Sequence, residues 1–207
     1  MSLLTDGILS LGLEPKGARL EALETYLSEI ELWNRRIDLV KATGEQLITK
    51  HVLDSLAGVT IISSLPHTTI ADVGSGAGFP GIPLALFLED SRFSLVERSS
   101  KRASFLRNVV ALLGLRDRVE VVERELESLS NEFSVVTFRA FREFVRFAPL
   151  LFRAAGPDGA LVAYKGKRQT VLDEVNGVEG LASSIEIHPV SVPGMEEERN
   201  IVVIRRA

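Results

Sequence analysis

The chain has no cysteine, which excludes disulfides, thiolate metal sites and cysteine nucleophiles and suits a reducing compartment. Three scattered histidines are a poor basis for zinc, so no metal is expected. The opening residues, Met1 to Asp6, lack a basic stretch followed by an apolar one, and no apolar run reaches the roughly 18 residues needed to cross a bilayer. The expectation is a cytoplasmic protein without a membrane partner. Positive charge is also short. A net charge of −4 argues against generic binding to nucleic acid, because sequence-independent affinity comes from lysine and arginine neutralising phosphates. Any contact with RNA must then be local and dependent on shape. Internal repeats, low-complexity segments and Pro/Gly/Ser-rich stretches are missing too, so nearly all of the chain should fold.

What is present fits one well-buried core: 207 residues, 45% hydrophobic and 25% charged. Residues 1–65 read as a helical extension. In it Leu20, Leu23, Leu27, Ile30 and Trp33 recur at helical spacing, with Glu21, Glu24, Glu31 and Arg35 between them, and Trp33 belongs to the core. Residues 66–207 read differently, as the main body. The runs Ile70–Val73, Phe93–Val96, Val119–Val122, Phe133–Phe138 and Ala160–Tyr164 alternate with helical patterns. One such helix is capped by Ser99 or Ser100, carries Phe105, Leu106, Val109, Val110 and Leu113 on its apolar face, and ends at a left-handed Gly114. That order predicts an α/β fold, a parallel sheet with helices on both faces and ligands at the carboxyl ends of its strands. Glu186–Val192 and Ile201–Arg205, joined through Pro193, Gly194 and an acidic run, predict an antiparallel hairpin at the sheet edge.

The segment Asp72-Val73-Gly74-Ser75-Gly76-Ala77-Gly78-Phe79-Pro80-Gly81-Ile82-Pro83 lies directly after a predicted strand and before a helix. Gly74, Gly76 and Gly78 let the backbone turn sharply and approach a ligand with no Cβ between. Glu97 ends the next strand nineteen residues beyond Gly78, the spacing of a carboxylate that takes the ribose hydroxyls of an adenosine-containing cofactor. Gly76, Gly78 and Gly81 also satisfy the dinucleotide pattern G-x-G-x-x-G. Asp72 weighs against pyrophosphate and for a cationic ligand such as S-adenosylmethionine, whose amino and sulfonium groups a carboxylate attracts. A dinucleotide and a purely structural glycine turn stay open on these residues alone.

The chain resembles the GidB (RsmG) methyltransferases from about Leu27 to its end. The resemblance rests on Leu32-Trp33-Asn34, His51-Val52-Leu53-Asp54-Ser55, the loop from Asp72 to Pro83, Lys101-Arg102 with Phe105-Leu106, Arg139-Ala140, Lys165-Gly166, and Arg199 before Ile201–Ile204. It implies a Rossmann-like class I methyltransferase sheet and transfer of a methyl group from S-adenosylmethionine to N7 of a guanine in 16S ribosomal RNA. The implied partner is that RNA, within the small subunit or an assembly intermediate, with the enzyme acting as a monomer. Cofactor contacts are implied for Gly74, Phe79, Glu97, the backbone of Glu125 and Leu126, and Arg139. Two positions depart from the family: Leu126 stands where an acidic residue is usual, and Asp38 stands where an asparagine is.

Missing motifs narrow the chemistry independently. Methylation of pyrimidine C5 needs a cysteine nucleophile, and the Asp/Asn-Pro-Pro-aromatic signature of exocyclic-amine methyltransferases is absent where the chain reads Phe138-Arg139-Ala140-Phe141. Guanine N7 has an exposed lone pair and no proton to lose, so no general base is assigned and Arg139 is the candidate for positioning base and cofactor. Lys101 and Arg102 are candidate RNA contacts, or with Arg107 a solvated helix face; Lys165, Lys167, Arg168 and Arg199 are the other candidate RNA contacts. His51 and Asp54, three apart, read as a structural hydrogen-bonded pair or as substrate groups. A small-molecule methyltransferase, which fits the acidic charge balance better, a binding module with a vestigial loop, and a dehydrogenase are the alternatives.

Overall fold

The computed structural model describes residues 2–129, 133–139 and 144–207. Seven strands, β1 (Thr69–Val73), β2 (Arg92–Val96), β3 (Val119–Val122), β4 (Val135–Arg139), β5 (Ala160–Lys165), β6 (Ala182–Val190) and β7 (Arg199–Arg206), form one sheet in the order β3-β2-β1-β4-β5-β7-β6. The first five pair in parallel, while β7 runs antiparallel to both β5 and β6. The order reverses direction between β1 and β4, which is where an open α/β sheet leaves a crevice for a ligand. The sheet is thus the expected parallel one, and the terminal hairpin lies at its edge. The hairpin's first strand begins at Ala182, four residues before the apolar alternation of Glu186–Val192 suggests, because Ala182 and Ser184 already pair with Arg206 and Arg205.

Side chains alternate along a strand, so each strand contributes to two cores. Ile70, Val135, Val162, Tyr164, Ile201 and Val203 enter one cluster; Ala71, Val73, Val136, Phe138, Leu161, Ala163, Val202 and Ile204 enter the other. The first face is covered by the N-terminal helices α1 (Leu3–Ser10) and α2 (Gly17–Asn34), by the stretch from residue 45 to 63, and by α6 (Gly81–Phe87) and α7 (Ser100–Leu112). In that stretch α3 (Glu45–Leu47) and α4 (Asp54–Leu56) flank a π-helical segment, Ile48–Leu53, and α5 (Val59–Ser63) follows. The second face is covered by α8 (Phe144–Ala155) and α9 (Arg168–Asn176). Trp33 packs at the margin of the first core, edge-on to Phe105 at 5.6 Å between ring centroids, and Gly114 closes α7 with φ +66°.

By the same parity, Asp72, Thr137, Arg139, Tyr164 and Arg199 point to the face that the N-terminal helices cover. The helices are seated there by more than apolar contact. The buried Tyr164 hydroxyl donates to the Ser55 carbonyl at 2.8 Å, directly under Gly58. A methyl group on Gly58 would stand 2.0 Å from that hydroxyl oxygen and 3.3 Å from Ile201, and both residues are buried. Gly58→Ala is therefore expected to destabilise the fold by about 1–3 kcal/mol, the usual cost of overpacking. Urea denaturation measures it; an unchanged midpoint would mean that this segment is not pressed against β5.

Candidate active site

The glycine loop leaves β1 at the crevice between β1 and β4. Gly74, Gly76 and Gly78 all have positive φ, at +72°, +60° and +93°. Gly78 has a second reason to be glycine, since a Cβ there would meet Ile82, Leu106 and the Tyr26 hydroxyl at 2.7–3.2 Å. The loop is braced from three directions. The amides of Gly74 and Ser75 donate to the Val96 carbonyl, the Tyr26 hydroxyl donates to the Ala77 carbonyl at 2.5 Å, and Gly76 N–H donates to Glu97 Oε2 at 2.9 Å. Glu97 Oε1 accepts from Ser99 N–H at 2.8 Å, so this buried carboxylate ties the loop to the start of α7. Each of its oxygens keeps one further lone pair.

Asp72 lies beneath the loop with no exposure. Its Oδ2 accepts from Ser75 Oγ at 2.6 Å and from Gly81 N–H at 3.0 Å, whereas Oδ1 is buried without a partner. Burial raises its pKa to about 6, against the lowering effects of Ser75, the Gly81 amide and Arg139. An orphaned carboxylate oxygen under a glycine loop is what a buried cation would satisfy.

Arg139, at the end of β4, faces the helical stretch rather than the open cleft alone. Its Nη1 donates to the Lys50 carbonyl at 3.1 Å and to Asp54 Oδ2 at 3.2 Å, its Nη2 lies 2.7 Å from His51 Nδ1, and its charge sits 5.2 Å from the centre of the Phe79 ring. Asp54 is 2% exposed and also receives Arg199 from β7, Nε to Oδ1 at 2.7 Å and Nη2 to Oδ2 at 2.8 Å. His51 and Asp54 therefore do not form the direct pair that their spacing suggests; Arg139 joins them. The π-helical segment that carries Lys50 and His51 is a form enriched at functional sites. A guanidinium has no acceptor, so His51 Nδ1 must accept, which leaves a neutral ring with its proton on Nε2. Burial, then the charges of Arg139, Arg199 and Lys50, lower the His51 pKa to about 3.

These groups surround a cleft of about 430 Å³ lined by Leu39, Val40, Lys41, Ala42, Gln46, His51, Phe79, Arg139 and the loop residues 74–77. Its outer wall is fixed by Asn34, whose side chain accepts from Leu39 and Val40 N–H and donates to the Val40 carbonyl. Glu125 and Leu126 begin a short turn beyond β3, the first exposed and the second buried in the other core. Lys101 is exposed, and Arg102 donates to the Asp38 carbonyl at 3.3 Å. With Arg36, Ile37, Asp38 and Ser99 they line a depression of about 270 Å³. Arg107 pairs with Glu123 on the outer side of α7. Lys165 lies 2.6 Å from Glu174 and 5.0 Å from the centre of the Phe144 ring, Lys167 and Arg168 are exposed at the start of α9, and Arg199 is engaged with Asp54. Ala140 and Phe141, part of the sequence pattern after β4, lie outside the described residues. Among the described residues no group of three or more His, Asp or Glu side chains is placed to hold a metal, and no helix is long and apolar enough to cross a membrane.

Residues 19–202 match the family described as rRNA small subunit methyltransferase G. The chain belongs to this family. It is 39% identical over 197 residues to the ribosomal RNA small subunit methyltransferase G of Borrelia turicatae, covering 94% of each chain. Against the protein of the same name from Halorhodospira halophila it is 38% identical over 200 residues, 95% of this chain and 93% of that one. The fold is shared with more distant methyltransferases. A putative O-methyltransferase from Klebsiella pneumoniae superposes with a TM-score of 0.62 at 15% identity, covering 100% of this chain and 97% of that one, and a precorrin-6y C5,15-methyltransferase from Geobacter metallireducens with 0.58 at 19%, covering 80% and 94%.

Sequence reasoning missed Tyr26, Asn34's bonds and Tyr164. Tyr26 lies on the apolar stripe of α2 with Leu23 and Ile30, where a lone hydroxyl among aliphatic neighbours was the available signal. Nothing local marks Tyr164, whose partner Ser55 stands across the fold; Asn34 bonds within its own loop, to Leu39 and Val40, in a pattern that no short motif announces. The Asp54 network gives the test of this geometry. Asp54→Ala leaves two guanidinium groups without their carboxylate and is expected to cost about 3–5 kcal/mol of stability. Chemical denaturation measures it, and a loss below about 1 kcal/mol would place these charges in water instead.

Proposed function

We propose that the chain transfers a methyl group from S-adenosylmethionine to N7 of a guanine in small-subunit (16S) ribosomal RNA, working as a cytoplasmic monomer on the assembled or assembling subunit. The observation that carries this reading is the orphaned Asp72 Oδ1 beneath a braced glycine loop, in a chain of a ribosomal RNA methyltransferase family. Asp72 would take the cofactor's ammonium group, Glu97 the ribose hydroxyls with its remaining lone pairs, and the Glu125-Leu126 backbone the adenine edge. When bound, the cofactor supplies an electrophilic methyl group. The protein's own part is to orient a base over the loop and to exclude water. None of the described cleft side chains is poised as a base: the Nδ1 lone pair of His51 is taken by Arg139, and guanine N7 has no proton to remove. The cleft is open to solvent and its outer wall carries Lys41 and Gln46 beside Leu39, Val40 and Ala42, which favours a large anionic substrate over a small one held in a closed pocket.

The test incubates the protein with labelled cofactor and, separately, naked ribosomal RNA, small subunits and a small-molecule extract. Label is expected as 7-methylguanine in small-subunit RNA; label confined to the small molecules overturns the reading.

Asp72 adds a pH dependence whose sign can be worked out. Its folded pKa is raised to about 6, so the ionised form that attracts a cation is lost as pH falls through 6. Cofactor affinity is expected to drop below pH 6 with proton release on binding near that pH, while Asp72→Asn binds weakly at every pH. Calorimetry in two buffers of different ionisation enthalpy reads both; a pH-independent wild type removes Asp72 from the cofactor.

The RNA-facing rim is read as Arg36, Lys41, Lys101 and Arg102, with Lys167 and Arg168 beyond. Lys165 and Arg199 spend their charge on Glu174 and Asp54, whereas Arg36 and Lys101 form no salt bridge among the described residues. Replacing Arg36, Lys101 and Arg102 with Gln should flatten the salt dependence of RNA binding by about 0.7 per lost contact on single-stranded RNA, and more than the corresponding change at Lys165, Lys167 and Arg168. Equal slopes in the two triple variants and wild type would make both sets a solvated surface.

A further inference from the structure

We infer that His51 selects guanine, its Nε2–H donating to O6 of the target base and so turning the adjacent N7 toward the methyl group. This rests on the methyl-transfer reading above.

Four observations lead to it. His51 lines the same cleft as loop residues 74–77, with its ring centroid 5.0 Å from that of Phe79. Its Nδ1 is occupied by Arg139 Nη2 at 2.7 Å, which fixes the tautomer and leaves Nε2 as an N–H donor. That donor has no hydrogen-bond partner among the described residues and is not sealed from solvent. The ring cannot turn away without breaking the Arg139 bond, and Arg139 is itself held by the Lys50 carbonyl and by Asp54, which Arg199 grips from β7.

The chemistry of the base makes such a donor useful. Guanine presents two adjacent acceptors, N7 and O6, on one edge, whereas adenine presents N7 beside an amino donor. A fixed N–H therefore accepts guanine and opposes adenine, although both offer N7. Neutrality matters as much as direction. N7 gains positive charge on methylation, so a guanidinium in that place would oppose the transfer, and a neutral imidazole does not. Arg139, Asp54 and Arg199 are then positioning residues that act through His51.

The test uses the two amides that each copy half of an imidazole. Asn carries its polar atoms near the place of Nδ1 and still offers Arg139 an acceptor; Gln reaches the place of Nε2 and still offers the donor. His51→Gln is expected to stay within about threefold of wild type in kcat/KM on undermethylated small subunits, and His51→Asn to lose about tenfold, the scale of one hydrogen bond to a neutral acceptor. Both should bind S-adenosylhomocysteine like wild type by calorimetry. The reverse order overturns the inference by showing that accepting from Arg139 is what His51 does, and equal activities overturn it by showing that the Nε2 donor makes no difference. A measurement on the wild type needs no variant to fold: small-subunit RNA with 2-aminopurine at the methylated position keeps N7 and lacks O6. It should be methylated about tenfold more slowly than the guanine RNA, and an equal rate overturns the inference. If wild type forms no 7-methylguanine at all, the functional reading itself fails and this one with it; 7-methylguanine made with the amide order reversed defeats the role of His51 alone.

Discussion

A single buried carboxylate, Asp54, joins the helical stretch to the sheet by charge, and the geometry of the cleft depends on it. Removing a carboxylate from water is costly, and two arginines from different strands offset that cost, Arg199 with a parallel pair of N–H groups and Arg139 with one. Such a cluster is weak evidence for stability as such, because apolar residues of the same volume often do as well. Its worth lies in direction. Arg199 fixes the carboxylate, the carboxylate fixes Arg139, and Arg139 fixes the ring of His51 in one tautomer. Strand parity is what brings the partners together, since Arg139 and Arg199 stand on the face of the sheet that the N-terminal helices cover.

The helical lead-in is consequently part of the site and not an appendage to it. It supplies Tyr26 to the loop carbonyl, Asn34 to the outer wall, and Leu39, Val40, Lys41 and His51 to the lining. Glu97 has a similar double duty. Its oxygens hold Gly76 N–H and Ser99 N–H, so replacing it with Ala disturbs the loop along with any ribose contact. The isosteric Gln keeps one of these two bonds and sets an amide N–H against the other donor, so it disturbs the loop too, though less than Ala.

The strands and the glycine loop were legible because both are local signals: apolar alternation of period two, and glycines spaced for positive φ after a strand. The terminal hairpin was legible in kind but not at Ala182, where pairing with β7 extends the strand past its apolar pattern. Residues lining the cleft were legible where one backbone segment supplies them, as from Gly74 to Ala77 and at Phe79. They were not where the partner comes from another element. His51 and Asp54, three apart, suggest one another on a regular helix, and no local rule reveals that an arginine 85 residues beyond Asp54 stands between them. Lys165 and Arg199 show the same limit: basic residues at strand ends suggest phosphate contacts, but their carboxylate partners, Glu174 and Asp54, are visible only in three dimensions.

An excess of acidic residues is no obstacle to an RNA substrate once the charges are placed. Negative charge is buried where a cation is wanted, at Asp72 under the loop. Positive charge is exposed outside the cleft at Arg36 and Lys101, and on the cleft's wall at Lys41; on the proposed reading it would meet phosphates through solvent and lose strength with salt. Between them Arg139 is brought close but held by Asp54, which it shares with Arg199, and turned to His51, so that on the inference above the group nearest the base is an uncharged donor. A target that becomes cationic requires this order. Guanidinium groups in the cleft would help hold RNA and hinder transfer; among the described residues the guanidinium inside, Arg139, is paired, whereas Arg36 and Lys101, which form no salt bridge, stand outside it.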